Sequence, residues 1–404
     1  MLESLHVISG LQNGTFAESL LLDRLKAAGI QLPVAPTEFS KLPFATLRPQ
    51  IHLLFVFPIL GDNDVTDEML DLLHRFVSMG RCLGRAVIVV LTGDRHISDE
   101  LVSESLPIHI KLNNAFRRAG AFHIIRSKLD QHTAPSIADE IVALSNKISF
   151  DDIEQIEHLT ELLGVRPTWD PTRRLLDFYD RSTGFSLLRA QTSSTLTRAA
   201  QFVTKLAPET LLVAGGGLND ERLSCLASAF TAETIDLGSN RLNFEATASL
   251  LGCCRWLSLA ANRMVNANPS LLPASIEQLY LQKNMLRELV VSHQCPATLK
   301  VISVYRNNLA HLEWPSDQTA IARLNLGANP VDRLPENLAT ASKLQTLGLA
   351  RTGLKRLPDW IFHLPSLREI DISYIEDALP RPQLRKLREM HVSLITRPGY
   401  VESQ

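Results

Sequence analysis

The chain has 404 residues, of which 45% are hydrophobic and 21% charged, with 41 Lys and Arg against 43 Asp and Glu. At roughly 100–200 residues per domain this is a globular chain of two to four domains. A net charge of −2, near balance in both halves, excludes a strongly basic nucleic-acid binder. Only 6% of residues are aromatic, so the apolar content is mainly aliphatic, which directs attention to repeats.

Residues 1–45 read as an N-terminal helical segment. FAESLLLDRLKAAG (16–29) predicts a helix ending at a glycine stop, and Pro33, Pro36 and Pro43 mark a connector. Residues 46–150 read as an α/β domain. IHLLFVF (51–57) and AVIVVLT (86–92) are continuous apolar runs of the kind that fully buried strands carry. LPIHIKL (106–112) and FHIIRS (122–127) are weaker strands, and helices are expected around Thr66–Met79 and at 137–148. This alternation predicts a small parallel sheet with right-handed crossovers, flavodoxin-like or Toll/interleukin-receptor-like in topology.

Ligands of such sheets collect at the carboxyl ends of strands. Those ends supply Asp62 and Asp64 after the first run, and Asp94, Arg95 and His96 after the second. They fit a metal, phosphate-acceptor or catalytic site, and equally Gly-Asp turns and helix caps. On motif specificity alone the turn chemistry is preferred, so no metal and no cofactor is expected.

Residues 151–206 read as a helical linker that caps the C-terminal half. DDIEQIEHLTELLG (151–164) places Ile153, Ile156, Leu159, Leu162 and Leu163 at helical spacing, RPTWDPTRR interrupts it, and SSTLTRAAQFVTKL (193–206) resumes.

The strongest pattern fills residues 207–395, with 396–404 left as a tail. Six segments align without gaps: AETIDLGSNRL (232–242), CRWLSLAANRM (254–264), IEQLYLQKNML (276–286), LKVISVYRNNL (299–309), IARLNLGANPV (321–331) and LQTLGLARTGL (344–354). One column reads Asn240, Asn262, Asn284, Asn307, Asn329 and Thr352, at spacings of 22, 22, 23, 22 and 23. An alternating apolar pair such as Leu279 and Leu281 faces inward from a short strand. The asparagine satisfies backbone groups where the chain turns away. A single copy cannot bury its own core, so copies must stack. ETLLVAGGGLND (209–220) is an atypical first copy with Gly216 at the asparagine position. LREIDIS (367–373) continues the series, and LREMHVSLI (387–395) suggests a last strand through Met390 and Val392.

The period and columns match the leucine-rich repeat consensus. LPASIEQLYLQKNMLREL resembles the short Leu-Pro-type repeats of bacterial proteins, secreted effectors among them, and RLPENLATASKLQTLGLARTGLKRLP resembles those of many cytoplasmic proteins. The resemblance implies a solenoid over about 208–395, with the positions flanking the inward pair on a concave sheet face. Trp256, Tyr280 and Tyr305 then lie on three successive rungs and step diagonally, with Gln282, Arg306, Arg323 and Asn325 beside them. Trp, Tyr and Arg dominate interface hot spots.

Cys82, Cys225, Cys253, Cys254 and Cys295 are odd in number and lack CxxC spacing, which argues against a disulfide frame or zinc cage. No apolar run reaches the length of a membrane span, and no hydrophobic leader is evident. GxxxxGK[ST], HExxH and GxSxG are absent. No Cys follows Cys295, so the ubiquitin-ligase domain that follows the repeats in some bacterial effectors is not expected. The expectation is a cytoplasmic, non-enzymatic protein whose repeats grip a protein partner, not nucleic acid. The rivals are an enzyme or ligand sensor in the α/β half, and a bacterial effector or conflict-system component.

Overall fold

The computed structural model describes residues 5–9, 16–28, 37–38, 52–59, 87–93, 123–126, 132–147, 150–180, 183–316 and 320–398. The chain divides into two compact units, Met1–Leu176 and Asp177–Gln404. It is mixed α/β, with a long parallel sheet in the second unit.

In the first unit, β1 (Leu5–Ser9), β2 (Thr37–Glu38), β3 (His52–Ile59), β4 (Val87–Gly93) and β5 (His123–Arg126) form a parallel sheet in the order β2-β1-β3-β4-β5. β1 and β2 lie inside the segment expected as helix and connector. LHVIS is short and interrupted by a histidine, so no continuous apolar run marks it. Yet β1 pairs along its whole length with β3, from Leu5 opposite His52 to Ser9 opposite Val56. The chain therefore reverses its direction of travel across the sheet between β1 and β3.

The helices of this unit bury one stripe each. Helix Phe16–Ala27 buries Leu21 and Leu25, and helix Ala134–Lys147 buries Ala134, Ile137, Ala138 and Ile141, the spacing of a single helical face. An exposed ion pair of 3.7 Å joins Arg24 of the first of these helices to Asp139 of the second. Helix Phe150–Leu163 buries Ile153, Ile156, Leu159 and Leu163. Short strands β6 (Thr168–Asp170) and β7 (Leu175–Asp177) follow, so the stretch expected to be mainly helical also holds strands. The expected strand 106–112 and the helix around 66–79 lie outside the described residues.

The second unit opens with an antiparallel hairpin, β8 (Tyr179–Asp180) and β9 (Phe185–Ser186). Helix Ser193–Leu206 comes next. Thr192 Oγ1 accepts a hydrogen bond from Thr195 N at its start, and Ala207 turns left-handed (φ 45°) at its end. It buries Leu196, Ala199, Ala200, Val203 and Leu206, and Thr204 Oγ1 donates to Ser228 O at 2.8 Å in the first repeat.

The repeats then run one strand per rung: β10 (Thr210–Leu212), β11 (Thr234–Asp236), β12 (Trp256–Ser258), β13 (Gln278–Tyr280), β15 (Val301–Ser303), β17 (Arg323–Asn325), β18 (Thr346–Gly348), β19 (Glu369–Asp371) and β20 (Ser393–Ile395). Ile235, Leu257, Leu279, Ile302, Leu324, Leu347 and Ile370 stand opposite one another through parallel pairing. Two residues on, Leu237, Leu259, Leu281, Val304, Leu326, Leu349 and Ile372 are all fully buried. Each such side chain contributes about 1.5–3 kcal/mol of transfer free energy. The return segments are short helical turns, except that β14 (Glu288–Val290) and β16 (His311–Glu313) pair as a second small parallel sheet.

The asparagine column supplies the turn chemistry. Asn284 Nδ2 donates to Leu281 O in its own rung and to Leu259 O in the rung before, both at 2.9 Å. Its Oδ1 accepts from Asn262 N at 2.9 Å and Met264 N at 3.0 Å. Asn240, Asn262, Asn307 and Asn329 likewise donate within the rung and to the rung before, and accept from a backbone N–H of that earlier rung. The residue before each is left-handed: Ser239, Ala261, Lys283, Arg306, Ala328 and Arg351 have φ between 54° and 59°. That turn aims each of their N–H groups at a carbonyl of the next rung. Thr352 keeps a single bond, Oγ1 to Leu349 O at 2.8 Å.

The last rung departs from expectation. Its strand is Ser393–Ile395 with Leu394 opposite Ile370, not a strand through Met390 and Val392. Helix Arg381–Glu389 occupies the residues before it, with Pro382 near its start, a position where a missing N–H costs nothing. Buried Gln383 donates from Nε2 to Leu357 O at 2.6 Å and accepts from Leu357 N at 2.9 Å, satisfying the buried backbone of the previous turn.

Asn284→Ala removes four buried hydrogen bonds, at about 1 kcal/mol each. Urea unfolding is expected to show a loss of about 3–5 kcal/mol. Thr352→Ala, with one bond at stake, is expected to lose about 1 kcal/mol.

Candidate functional site

The face of the sheet opposite the buried pairs carries the residues singled out for partner binding, Arg306 excepted. Trp256 and Tyr280 sit on adjacent strands with ring centroids 5.1 Å apart and planes tilted by 38°, an offset arrangement that aromatic pairs favour. Tyr280 Oη donates to Gln278 Oε1 at 2.9 Å, and Gln278 is the register partner of Trp256. Tyr305 follows β15 on the next rung. All three rings are half-buried, so each keeps a part of its surface open to solvent. Gln282 is half-buried in the same row, and its Oε1 accepts no hydrogen bond.

The neighbouring columns are small for a reason. A Cβ on Gly327 would lie 3.1 Å from Tyr305 Cδ2 and 3.0 Å from Ala350 O. One on Gly348 would lie 2.8 Å from Asn325 Oδ1. The glycines thus leave room for the side chains of the rung before. Asn325 itself has local work: its Oδ1 accepts from Gly327 N at 3.0 Å. Asp236 does the same for Gly238 N, and Asp371 for Ser373 N, each at 2.9 Å. Arg323 is exposed on β17 beside Val301. Arg306 is also exposed, but it belongs to the left-handed turn column and not to the strand face. Farther along that column, the Arg351 guanidinium covers the Tyr374 ring at 4.1 Å.

The opposite, entry edge of the strands carries a feature that single motifs do not reveal. The residue before each strand reads Glu233, Arg255, Glu277 and Lys300 on successive rungs. Arg255 Nη1 lies 3.6 Å from Glu233, the same guanidinium bonds Glu277, and Lys300 Nζ reaches Glu277 Oε2 at 2.8 Å. Hydrogen bonds from Lys300 and Arg255 hold the Glu277 carboxyl below its usual range, and donation to Glu277 raises the Arg255 guanidinium further. Alignment of the repeats by period exposes this alternation, since the charges recur at the repeat spacing. The adjacent cysteines differ sharply. Burial pushes the Cys254 thiol up to about 12, with Sγ donating to Trp256 O at 3.1 Å, whereas Cys253 is exposed.

One strand per rung, an inward apolar pair and a shared asparagine define the second unit as a leucine-rich repeat solenoid. No protein-family profile matches the chain. Among solved structures, a leucine-rich repeat protein of Leptospira interrogans aligns at 19% identity and a TM-score of 0.39 over 50% of this chain and 50% of its own. The chain thus spans half the length of that protein. An internalin of Listeria monocytogenes aligns at 13% identity and a TM-score of 0.42, over 99% of this chain and 88% of its own. A short-chain flavodoxin associated with a bacterial microcompartment covers 34% of this chain and 93% of its own, at 16% identity and a TM-score of 0.25. With these three scores below 0.5, the solenoid is defined by its own register and columns.

Asp62, Asp64, Asp94, Arg95 and His96 lie outside the described residues. Among the described residues no group of three His, Cys, Asp or Glu side chains is placed to hold a metal ion, and no helix is long and apolar enough to cross a membrane.

The shift at Glu277 has a sign. A carboxyl lowered in the fold stabilises it above the ordinary glutamate range, and the contribution is lost as pH falls through the lowered value. Glu277→Gln is therefore expected to melt slightly below the parent at pH 7 and to converge with it in acid, as followed by thermal melts across pH. With a maleimide at pH 8, Cys253 of the folded chain is expected to react and Cys254 to stay unmodified, as read by peptide mass spectrometry.

Proposed function

We propose that the chain is a binding protein, a scaffold or adaptor of the cytoplasm, whose solenoid takes a protein partner on its concave face. The observation that carries this reading is the stacked pair Trp256 and Tyr280, continued by Tyr305 on the next rung. Such rings supply large, rigid, partly apolar contact area at little entropic cost. Arg323 adds an exposed guanidinium fork one rung on. The small residues at Gly348 and Ala350 leave the far end of the face flat enough to seat a partner backbone.

A second reading concerns the first unit. Its strand order, β2-β1-β3-β4-β5, is that of flavodoxin-like doubly wound sheets, whose ligands sit where the order reverses. Here the reversal falls between β1 and β3, and Asp62 and Asp64 follow β3 in the chain. In this reading the sheet senses a small ligand and the repeats choose the target. Thermal melts with Mg²⁺ and a panel of nucleotides test it, since a ligand bound only by the folded state raises the melting temperature; no shift with any of them sinks it.

Partners captured on the full chain from its host and identified by mass spectrometry are expected to be lost with Trp256→Ala/Tyr280→Ala. Each truncation is expected to weaken the purified complex about 10- to 100-fold in calorimetry, the range of hot-spot residues. Affinity unchanged in the double variant, with its melt intact, would overturn the concave-face reading.

A further inference from the structure

The first rung departs from the repeat in a way that partner binding does not use. Ala214, Gly215, Gly216 and Gly217 stand where later rungs carry side chains and the asparagine. Gly215 and Gly217 are left-handed, at φ 70° and 58°. A Cβ on Gly217 would lie 3.4 Å from Arg189 Cγ, and one on Gly216 3.2 Å from Asn240 Oδ1. The run is thus stripped of side chains, and the hairpin β8–β9 stands against it, with Ser186 N donating to Gly215 O at 3.4 Å. What remains is a cavity of about 600 Å³ within the second unit.

Its lining has a definite chemistry. Three guanidiniums contribute, Arg189, Arg241 and Arg263, and no Asp or Glu does. Arg241 and Arg263 are the residues directly after the ladder asparagines Asn240 and Asn262, so the repeat itself sets them one rung apart. All three are exposed, and none forms an ion pair among the described residues. The Arg189 guanidinium lies over the Phe185 ring, 3.8 Å from its centroid, which holds it in place. Tyr179 and Phe185, on the two strands of the hairpin, are 37% and 48% exposed and present ring surface to the pocket.

From this geometry we infer that the cavity is a binding site for a small organic oxyanion, one whose phosphate or carboxylate meets Arg241 and Arg263 while a flat ring packs against Tyr179. Guanidinium forks match both anions bidentately, and the rings of Tyr179 and Phe185 give the pocket an apolar wall beside them. The glycines shape the site: the left-handed backbone at 215 and 217 disfavours any larger residue there, and a Cβ on Gly216 would lie 3.1 Å from Leu218 Cγ.

Phenyl phosphate, benzoate and inorganic phosphate are the probes, applied to the full chain by calorimetry and thermal melts at low salt. Phenyl phosphate or benzoate is expected to bind, and to raise the melting temperature by a few degrees at saturating concentration. Whichever of the two binds more tightly identifies the anion as phosphate or carboxylate, and inorganic phosphate is expected to bind more weakly for want of a ring. Arg241→Gln/Arg263→Gln is expected to abolish binding while melting like the parent without ligand, and Arg241→Lys/Arg263→Lys to restore part of it. Rising ionic strength is expected to weaken the parent's binding. Binding of neither ring compound, or binding that survives the Gln substitutions, overturns the site.

Discussion

Five successive rungs of the solenoid turn on an amide that serves two rungs at once. The ladder asparagine has four hydrogen-bonding positions, and at Asn284 each has a backbone partner. One of these bonds closes its own turn, and the others reach the rung before. A buried polar group with no partner is expensive, so the side chain allows the strand to end inside the structure without leaving carbonyls unmet. Because each amide bridges neighbours, rung spacing and register are set by the same groups that end the strands. The inward leucines then fall opposite one another without further specification.

The outward features follow from that register. Trp256 and Tyr280 are separated in sequence by more than one repeat but meet as rings because pairing puts their strands side by side. The glycines at 327 and 348 make sense only as neighbours of Tyr305 and Asn325 across a strand. The same asparagines that hold the rungs deliver Arg241 and Arg263 to one cavity, while the glycine run of the first rung leaves it open.

The solenoid is legible in the sequence because periodicity is redundant: a column repeated at one spacing survives a glycine at 216 or a threonine at 352. The cap helix Ser193–Leu206 is legible from its Ser/Thr start, which Thr192 and Thr195 bear out in the structure. Features without repetition are harder to see. β1 is five residues with a histidine among them, and only its pairing with β3 makes it a strand. The final strand is misplaced from sequence because Met390 and Val392 alternate plausibly, whereas Pro380 and Pro382 start a helix that pushes the strand to 393–395. The hairpin Tyr179–Ser186 has strands of two residues each, too short for any pattern. Of the proposed partner face, sequence order places the aromatics on successive rungs, but it does not tell that Arg306 sits in a left-handed turn or that Asn325 is engaged by Gly327.

The alternation of Glu233, Arg255, Glu277 and Lys300 along the strand entry edge has a consequence for how this chain can change length. Repeat proteins readily gain and lose copies, because each rung touches only its neighbours. Excision of the single rung that carries Arg255 would set Glu233 beside Glu277, and excision of the next would set Arg255 beside Lys300. Like charges directly opposite on paired strands are destabilising. Removal of two rungs together preserves the alternation. Over this stretch the charge pattern therefore favours removal of copies in pairs over removal of a single copy.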